Sequence, residues 1–160
     1  MRAAENKPVS VGFISLGCAK NLVDSQVMAG YLKRGQIALA PSPEAADVIL
    51  VNTCAFIEPA REEAAEAILS ACAYKREGGC RAVIVAGCMV QRYRERLQKA
   101  FPDVDAFLGV DELARVGEIV RQVAAGRHPG VVAARGEARN LYAPLYPTLL
   151  FTGGPFAYLK

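Results

Sequence analysis

Three of the five cysteines recur at nearly equal intervals along the chain. Cys18, Cys54 and Cys88 are 36 and then 34 residues apart, and each follows a short apolar run of the kind that forms a buried strand. No two cysteines have the C-x-x-C spacing of a zinc ribbon, a thioredoxin motif or a ferredoxin, which excludes chelation within one local segment. Thiols that are distant in sequence can still share a metal ion or an iron–sulfur cluster if the fold brings them together.

Three thiols without an obvious fourth ligand would make an unusual metal site. Iron–sulfur clusters usually take four cysteine ligands, so a site with three would leave one iron open to water, sulfide or substrate. The same spacing also fits three buried cysteines with no ligand role, because cysteine is often a core residue. A zinc ion held by three thiolates and a water is a further alternative. The residues alone leave these interpretations open.

The other two cysteines and the single histidine are weaker candidates. Cys72 shares the apolar side of a predicted helix with Ile68 and Leu69, which favours packing over ligation. Cys80 precedes a predicted strand and should lie at the opposite edge of the sheet. His128 falls in a glycine- and proline-containing segment, where a solvated side chain is the better expectation.

Apolar runs alternate with helical patterns, which is typical of parallel βα units. We therefore predict a three-layer α/β domain with a mostly parallel, five-stranded, flavodoxin-like or Rossmann-like sheet in the order 2-1-3-4-5. In such a sheet the strands before Cys18, Cys54 and Cys88 are neighbours, and all three thiols lie at the carboxyl edge. Each cysteine also precedes a predicted helix, whose positive end would favour an anionic cluster. The predicted strands are 11–16, 37–40, 48–52, 82–86 and 105–108, and the predicted helices are 21–34, 59–77, 90–99 and 111–125.

The chain divides by composition near residue 125. We expect one domain over residues 1–125, and a linker with a docking segment over residues 126–160, which are richer in glycine and proline. Phe156 to Lys160 resembles the start of a further strand, which suggests a piece of a longer protein.

Composition excludes several classes of protein. With 52% hydrophobic and 22% charged residues the chain is globular, and a net charge of +3 is too small to argue for nucleic-acid binding. No apolar run approaches the roughly 18 residues of a membrane helix, and no secretory signal is evident, so we expect a cytoplasmic, monomeric protein. Phosphate-binding glycine motifs and a G-x-S-x-G elbow are absent from the sequence. The basic run from Arg92 to Lys99 is best interpreted as a solvated face, and Asn21 and Asn52 as partners of loop backbone.

Three sequence segments resemble the amino-terminal domain of the methylthiotransferases, which are radical S-adenosylmethionine enzymes. The segments are VGFISLGCAKNLVDS from Val11, VNTCAFIEPAREEA from Val51 and VIVAGCMVQRY from Val83. Their sequences are most similar to the branch of this family that modifies a small-subunit ribosomal protein, rather than to the branch that modifies tRNA. The resemblance covers residues 11–125 and continues weakly to the end of the chain.

This resemblance implies that Cys18, Cys54 and Cys88 hold an auxiliary 4Fe-4S cluster whose open iron carries the transferred sulfur. It implies transfer of a methylthio group to the β-carbon of an aspartate in the ribosomal protein. The family's second 4Fe-4S cluster, on a C-x-x-x-C-x-x-C motif in a radical S-adenosylmethionine domain, has no counterpart motif in these 160 residues. We therefore expect the domain to act with that partner domain in cis and to be inactive alone, with no catalytic residue of its own. The alternatives are a tRNA-modifying methylthiotransferase and a non-catalytic flavodoxin-like module that binds flavin or a protein.

Overall fold

A parallel β-sheet forms the centre of the domain. The computed structural model describes residues 8–133 and Pro147. Among these residues all strand pairs are parallel, and the strands follow the order β2-β1-β3-β4-β5-β6. The strands are β1 (Ser10–Ser15), β2 (Ala38–Leu39), β3 (Val48–Thr53), β4 (Ala82–Gly87), β5 (Ala106–Leu108) and β6 (Gly130–Val132).

The α/β class and the order of the first five strands are confirmed, but the sheet has six strands rather than five. Strand β6 pairs with β5 through Ala106 opposite Gly130 and Leu108 opposite Val132. This strand lies in the segment that the sequence assigned to a linker. Three residues are too few to show a periodic pattern, and His-Pro-Gly at the start of the strand indicates only a turn. The strand is therefore defined by its pairing with β5 and not by its local sequence.

Helices cover both faces of the sheet, as expected for parallel crossovers. The predicted helix over 90–99 is interrupted at Arg94, a non-glycine residue with a φ of 45°. The predicted helix over 111–125 begins as a 3-10 helix, Val110–Arg115, and another short 3-10 turn spans Pro43–Ala45. The α-helices are α1 (Ala19–Arg34), α2 (Glu58–Arg76), α3 (Cys88–Tyr93), α4 (Glu95–Ala100) and α5 (Val116–Ala124).

Strand β3 shows how the sequence builds two cores. Every residue of VILVNT is buried. Val48 and Leu50 pack with α1 and α5 on one face, whereas Ile49 and Val51 pack with α2, α3 and α4 on the other. Because side chains alternate across a strand, a continuous apolar run is what a strand covered on both faces requires. Three layers follow from this arrangement.

No helix in the described part of the chain is both long and apolar enough to cross a membrane.

Candidate metal centre

The three recurring cysteines lie together at the carboxyl edge of the sheet. Cys18 is the residue before the first turn of α1, Cys54 follows the last residue of β3, and Cys88 is the first residue of α3. Their strands β1, β3 and β4 are adjacent and in register up to Ser15 opposite Asn52 and Thr53 opposite Gly87. Parallel strands end on one edge, so three loops far apart in sequence become neighbours.

Cys18, Cys54 and Cys88 all line one cavity of about 280 Å³. Cys18 is exposed, Cys88 is half-buried, and Cys54 is buried at the base of its loop. The remaining lining comes from the first turn of α1, the loop after β3 and the second turn of α3: Lys20, Asn21, Ala55, Phe56 and Arg92. The expected meeting of the three cysteines is therefore present in the fold.

Glycine permits the close approach of these loops. Gly17 has a φ of +94°, and a Cβ added there would lie 2.6 Å from the Cβ of Cys54. Gly87 has a φ of +103°, and an added Cβ would lie 2.5 Å from the carbonyl oxygen of Thr53. Positive φ and contacts this short exclude larger side chains. Glycine precedes Cys18 and Cys88 because a side chain at Gly17 would collide with the Cys54 side chain and one at Gly87 with the Thr53 backbone.

The donor set suits a cluster better than a single ion. A zinc ion bound by thiolates at about 2.3 Å holds their sulfurs within about 4 Å of one another. Within the described residues, no three histidine, cysteine, aspartate or glutamate side chains lie close enough to hold one metal ion. An iron–sulfur cluster is larger, and each cysteine binds a different iron. Three cysteines lining one cavity fit a cluster in the number and chemical type of their donors.

Two cations face the same cavity. Lys20 lies two residues after Cys18, and Arg92 lies one helical turn after Cys88 on α3. The Arg92 Nη1 donates a hydrogen bond to the Ala55 carbonyl oxygen at 3.2 Å, which ties α3 to the loop of Cys54. Cationic side chains beside three thiolates would offset part of their negative charge.

The sequence interpretation assigned Arg92 to a solvated basic run and singled out neither Lys20 nor Phe56. A spacing of four residues between Cys88 and Arg92 places both on one helical face, and that spacing is the signal by which Arg92 could have been found. Phe56 is 86% exposed and borders the cavity. It also borders a second, larger cleft of about 650 Å³, which is lined in addition by Leu16 and Ile57 and shares Cys18 and Cys54 with the first.

Cys72 and Cys80 lie elsewhere. Both are buried in the core between the sheet and α2, and burial raises the pKa of each thiol. Packing is therefore confirmed for Cys72, but its predicted neighbour Leu69 is 56% exposed and does not share that apolar face. Cys80 precedes β4 and so lies at the amino edge, as predicted.

His128 is exposed, as predicted, but it is not isolated. Its Nδ1 lies 2.9 Å from a carboxylate oxygen of the buried Asp105, at the amino edge of the sheet. The same carboxylate accepts hydrogen bonds from the Val83 backbone N–H at 2.8 Å and from the Lys75 Nζ at 3.0 Å. This cluster ties together β4, β5 and α2 at the end of the sheet opposite the recurring cysteines.

Comparison with known proteins gives one family and a consistent set of relatives. Residues 10–109 match the model of the uncharacterized protein family UPF0004. The chain is 44% identical to the ribosomal protein uS12 methylthiotransferase RimO of Symbiobacterium thermophilum over 96% of its own length and 31% of the relative's. Identity is 48% to the RimO of Akkermansia muciniphila, over 72% of this chain and 26% of that one. Identity is 43% to the RimO of Solibacter usitatus, over 95% of this chain and 31% of that one. The chain thus spans about a third or less of the length of these curated relatives.

Proposed function

This chain belongs to protein family UPF0004, and from the names of its relatives and its three cysteines we propose that it is the amino-terminal, cluster-binding domain of a ribosomal protein methylthiotransferase. The resemblance to methylthiotransferases noted in the sequence is confirmed by the family match and by relatives that carry this name. The proposed reaction of the whole enzyme is transfer of a methylthio group to the β-carbon of an aspartate in the ribosomal protein. The observation that carries the proposal is the shared cavity of Cys18, Cys54 and Cys88.

The three cysteines would hold a 4Fe-4S cluster through their thiolates. When bound, the cluster supplies an iron without a cysteine ligand, at which the sulfur to be transferred can be held. Cys54 would anchor the cluster from the buried base of the cavity, and the exposed Cys18 would close it from the solvent side. Lys20 and Arg92 would lower the electrostatic cost of collecting three thiolates.

Several features support an intracellular, reducing setting for such a site. All five cysteines are free in the structure, and an odd number of cysteines is unsuited to a disulfide framework. We infer a cytoplasmic enzyme on these grounds. Radical chemistry with S-adenosylmethionine and a second 4Fe-4S cluster would come from a domain in cis, in the part of the relatives that this chain does not match.

Cluster binding is tested by anaerobic reconstitution of the chain with iron and sulfide. The wild-type chain should acquire broad visible absorption and about four irons and four sulfides. Single Cys18→Ala, Cys54→Ala and Cys88→Ala variants should lose iron and absorption, whereas Cys72→Ala should retain both. Cys72 is the matched control because its thiol is buried and outside the cavity. Uptake of one zinc or one iron per chain, or loss only in Cys72→Ala, would contradict the proposal.

The ribosomal substrate is tested with a chimera in which this chain replaces the matching third of the Symbiobacterium thermophilum relative. Mass spectrometry should find a methylthio group on ribosomal protein uS12 after incubation with S-adenosylmethionine, and none on tRNA. A matched Cys54→Ala chimera should modify neither. Modification of tRNA alone would replace the ribosomal assignment with the tRNA-modifying alternative.

A further inference from the structure

A network of buried polar side chains lies directly beneath the three cysteine loops. Asn21, Ser25, Asn52 and Thr53 are each at most 1% exposed. We infer that Asn21 and Thr53 are positioning residues that set the mutual spacing of the three cysteines through this network. The inference rests on the proposed function, because spacing matters only if the cysteines hold one group together.

Asn21 joins the first loop to the second. The Cys18 thiol donates to the Asn21 Oδ1 at 3.5 Å, and the Asn21 Nδ2 donates to the carbonyl oxygen of Thr53 at 2.7 Å. That carbonyl belongs to the peptide unit between Thr53 and Cys54. The thiol contact belongs to the chain without a cluster, because a ligating thiolate has no proton to donate. The second bond does not depend on it: Asn21 lies three residues after Cys18 in the first turn of α1, so its carboxamide ties the start of that helix to the backbone that carries Cys54.

Thr53 joins the second loop to the third. Its Oγ1 donates to the carbonyl oxygen of Ala86 at 2.7 Å, and this carbonyl belongs to the peptide unit before Gly87, the neighbour of Cys88. Gly87 packs so closely on Thr53 that there is no room for a Cβ. Asn21 and Thr53 together form a continuous relay that passes beside all three cysteines.

Asn52 holds the relay against α1. Its Nδ2 donates to the Asn21 carbonyl oxygen at 2.7 Å and to the Ser25 Oγ at 2.9 Å, and Ser25 lies 2.8 Å from the Ser15 hydroxyl. The Asn52 Oδ1 is buried beside Gly87 and accepts no hydrogen bond from the described residues. Through its two donated hydrogen bonds, Asn52 fixes the start of α1 against the carboxyl end of β3.

The placement of buried polar groups supports a local role. Six of the eight buried polar or charged residues in the described chain lie within the first eight residues of α1 or the last two of β3. Elsewhere the contacts between the helices and the strands are made by apolar side chains. Hydrogen bonds are directional, so the buried hydrogen bonds of this network specify one geometry where apolar packing would tolerate several. The polar residues are concentrated at the end of the sheet where loop geometry has to be maintained.

The test compares iron release from reconstituted chains in the presence of an iron chelator, without oxygen. Thr53→Val keeps the side-chain shape and removes the hydroxyl, whereas Thr53→Ser keeps the hydroxyl. Asn21→Leu removes the carboxamide and serves as a second variant. Ser10→Ala is the matched control. Ser10 lies at the opposite end of β1 from the cysteine loops, and its buried hydroxyl donates a hydrogen bond to the Asp47 carboxylate. Urea unfolding of every chain separates loss of stability from loss of the cluster.

We expect Thr53→Val and Asn21→Leu to release iron about 10-fold faster than wild type, the usual scale for residues that orient metal ligands. Thr53→Ser should restore slow release, and Ser10→Ala should release iron at the wild-type rate even if it unfolds at lower urea. If wild type assembles the cluster and Thr53→Val and Asn21→Leu release iron no faster than Ser10→Ala, the inference is overturned and the proposed function stands. A wild-type chain that takes up no iron contradicts the proposed function and, with it, this inference.

Discussion

Replacing Gly87 with alanine should destabilise the domain by two separable effects. Gly87 has φ 103° and ψ −160°, a region that other residues avoid. An added Cβ would also lie 2.4 Å from the Asn52 Oδ1 and 2.5 Å from the Thr53 carbonyl oxygen, closer than real Cβ contacts come. The second of these atoms belongs to the backbone of a central strand, so it cannot move without disturbing the sheet.

The size of the effect follows from its parts. Holding alanine in this backbone conformation costs about 1–3 kcal/mol, and crowding in a packed core costs a similar amount. Alanine also makes the unfolded chain less flexible, which offsets about 0.4–1 kcal/mol. A net loss of about 3 kcal/mol is expected, a large share of the roughly 5–15 kcal/mol by which domains are stable.

Two other glycines separate the cost of backbone strain from the cost of crowding. Gly78 has a φ of +81° with no atom within 4 Å of an added Cβ, so Gly78→Ala tests backbone strain alone. At Gly12 no positive φ is involved, but an added Cβ would lie 2.7 Å from the Cα of Pro43, so Gly12→Ala tests crowding alone. Each of these variants should lose about 1–2 kcal/mol.

Equilibrium urea unfolding followed by far-ultraviolet circular dichroism measures all three variants. Gly87→Ala should have the lowest midpoint, with an unchanged dependence on urea concentration. A Gly87→Ala loss no larger than that of Gly78→Ala would refute the reasoning, because crowding against β3 would then contribute nothing.

Further predictions concern the buried thiols and the amino edge of the sheet. Burial raises the pKa of the Cys72 and Cys80 thiols, so the folded state favours their neutral form. This stabilisation is complete below the pKa of an unfolded thiol, about 8.5, and it is lost as the pH rises through the raised pKa values of the folded state. A Cys72→Ala/Cys80→Ala variant should therefore lose less stability than wild type between about pH 8 and pH 10, and parallel urea midpoints across that range would contradict this. In the chain without a cluster, iodoacetamide at neutral pH should label the exposed Cys18 well before these two, as mass spectrometry of peptides will show, and equal labelling would count against the fold. Asp105→Ala removes the buried carboxylate that accepts a hydrogen bond from the Val83 N–H, and it should lower the free energy of unfolding in urea by about 3 kcal/mol. A decrease below about 1 kcal/mol would mean that solvent replaces the carboxylate.

The strands were the most predictable part of the fold. Strands β3 and β4 are apolar along nearly their whole length, and the predicted bounds differ from those observed by one residue at the carboxyl end. Such runs are unambiguous because a strand covered on both faces requires apolar residues at every position. Strand β6 escaped prediction because three half-buried residues at a sheet edge carry no such pattern.

The helical boundaries show where local sequence was insufficient. Arg94 has a φ of 45° and a ψ of −119°, a backbone conformation that residues with a side chain rarely adopt, and it divides α3 from α4. Its Nη1 donates to the Ala133 carbonyl oxygen at 3.1 Å, a contact across 39 positions. Tertiary contact thus accompanies a backbone conformation that no pattern within the helix indicates.

For the candidate site, residue types and intervals were sufficient to select Cys18, Cys54 and Cys88 and to predict a common sheet edge. This worked because each of the three cysteines follows a strand, β1, β3 or β4, and the carboxyl ends of parallel strands lie on one edge of the sheet. The sequence likewise separated Cys72 and Cys80 from the group, since their positions relative to helix and strand place them elsewhere. Residue type and interval were therefore enough to indicate which thiols share an edge.

Only the tertiary structure decided how the three loops are held together. The hydrogen bonds from Asn21 to Thr53 and from Thr53 to Ala86 join residues 32 and 33 positions apart, and Arg92 reaches Ala55 across 37. Side-chain hydrogen bonds depend on distances and angles between atoms, and sequence intervals do not specify these for residues on different strands. The sequence determined which cysteines share the carboxyl edge of the sheet, and the packing of β1, β3 and β4 determined how their loops lie against one another.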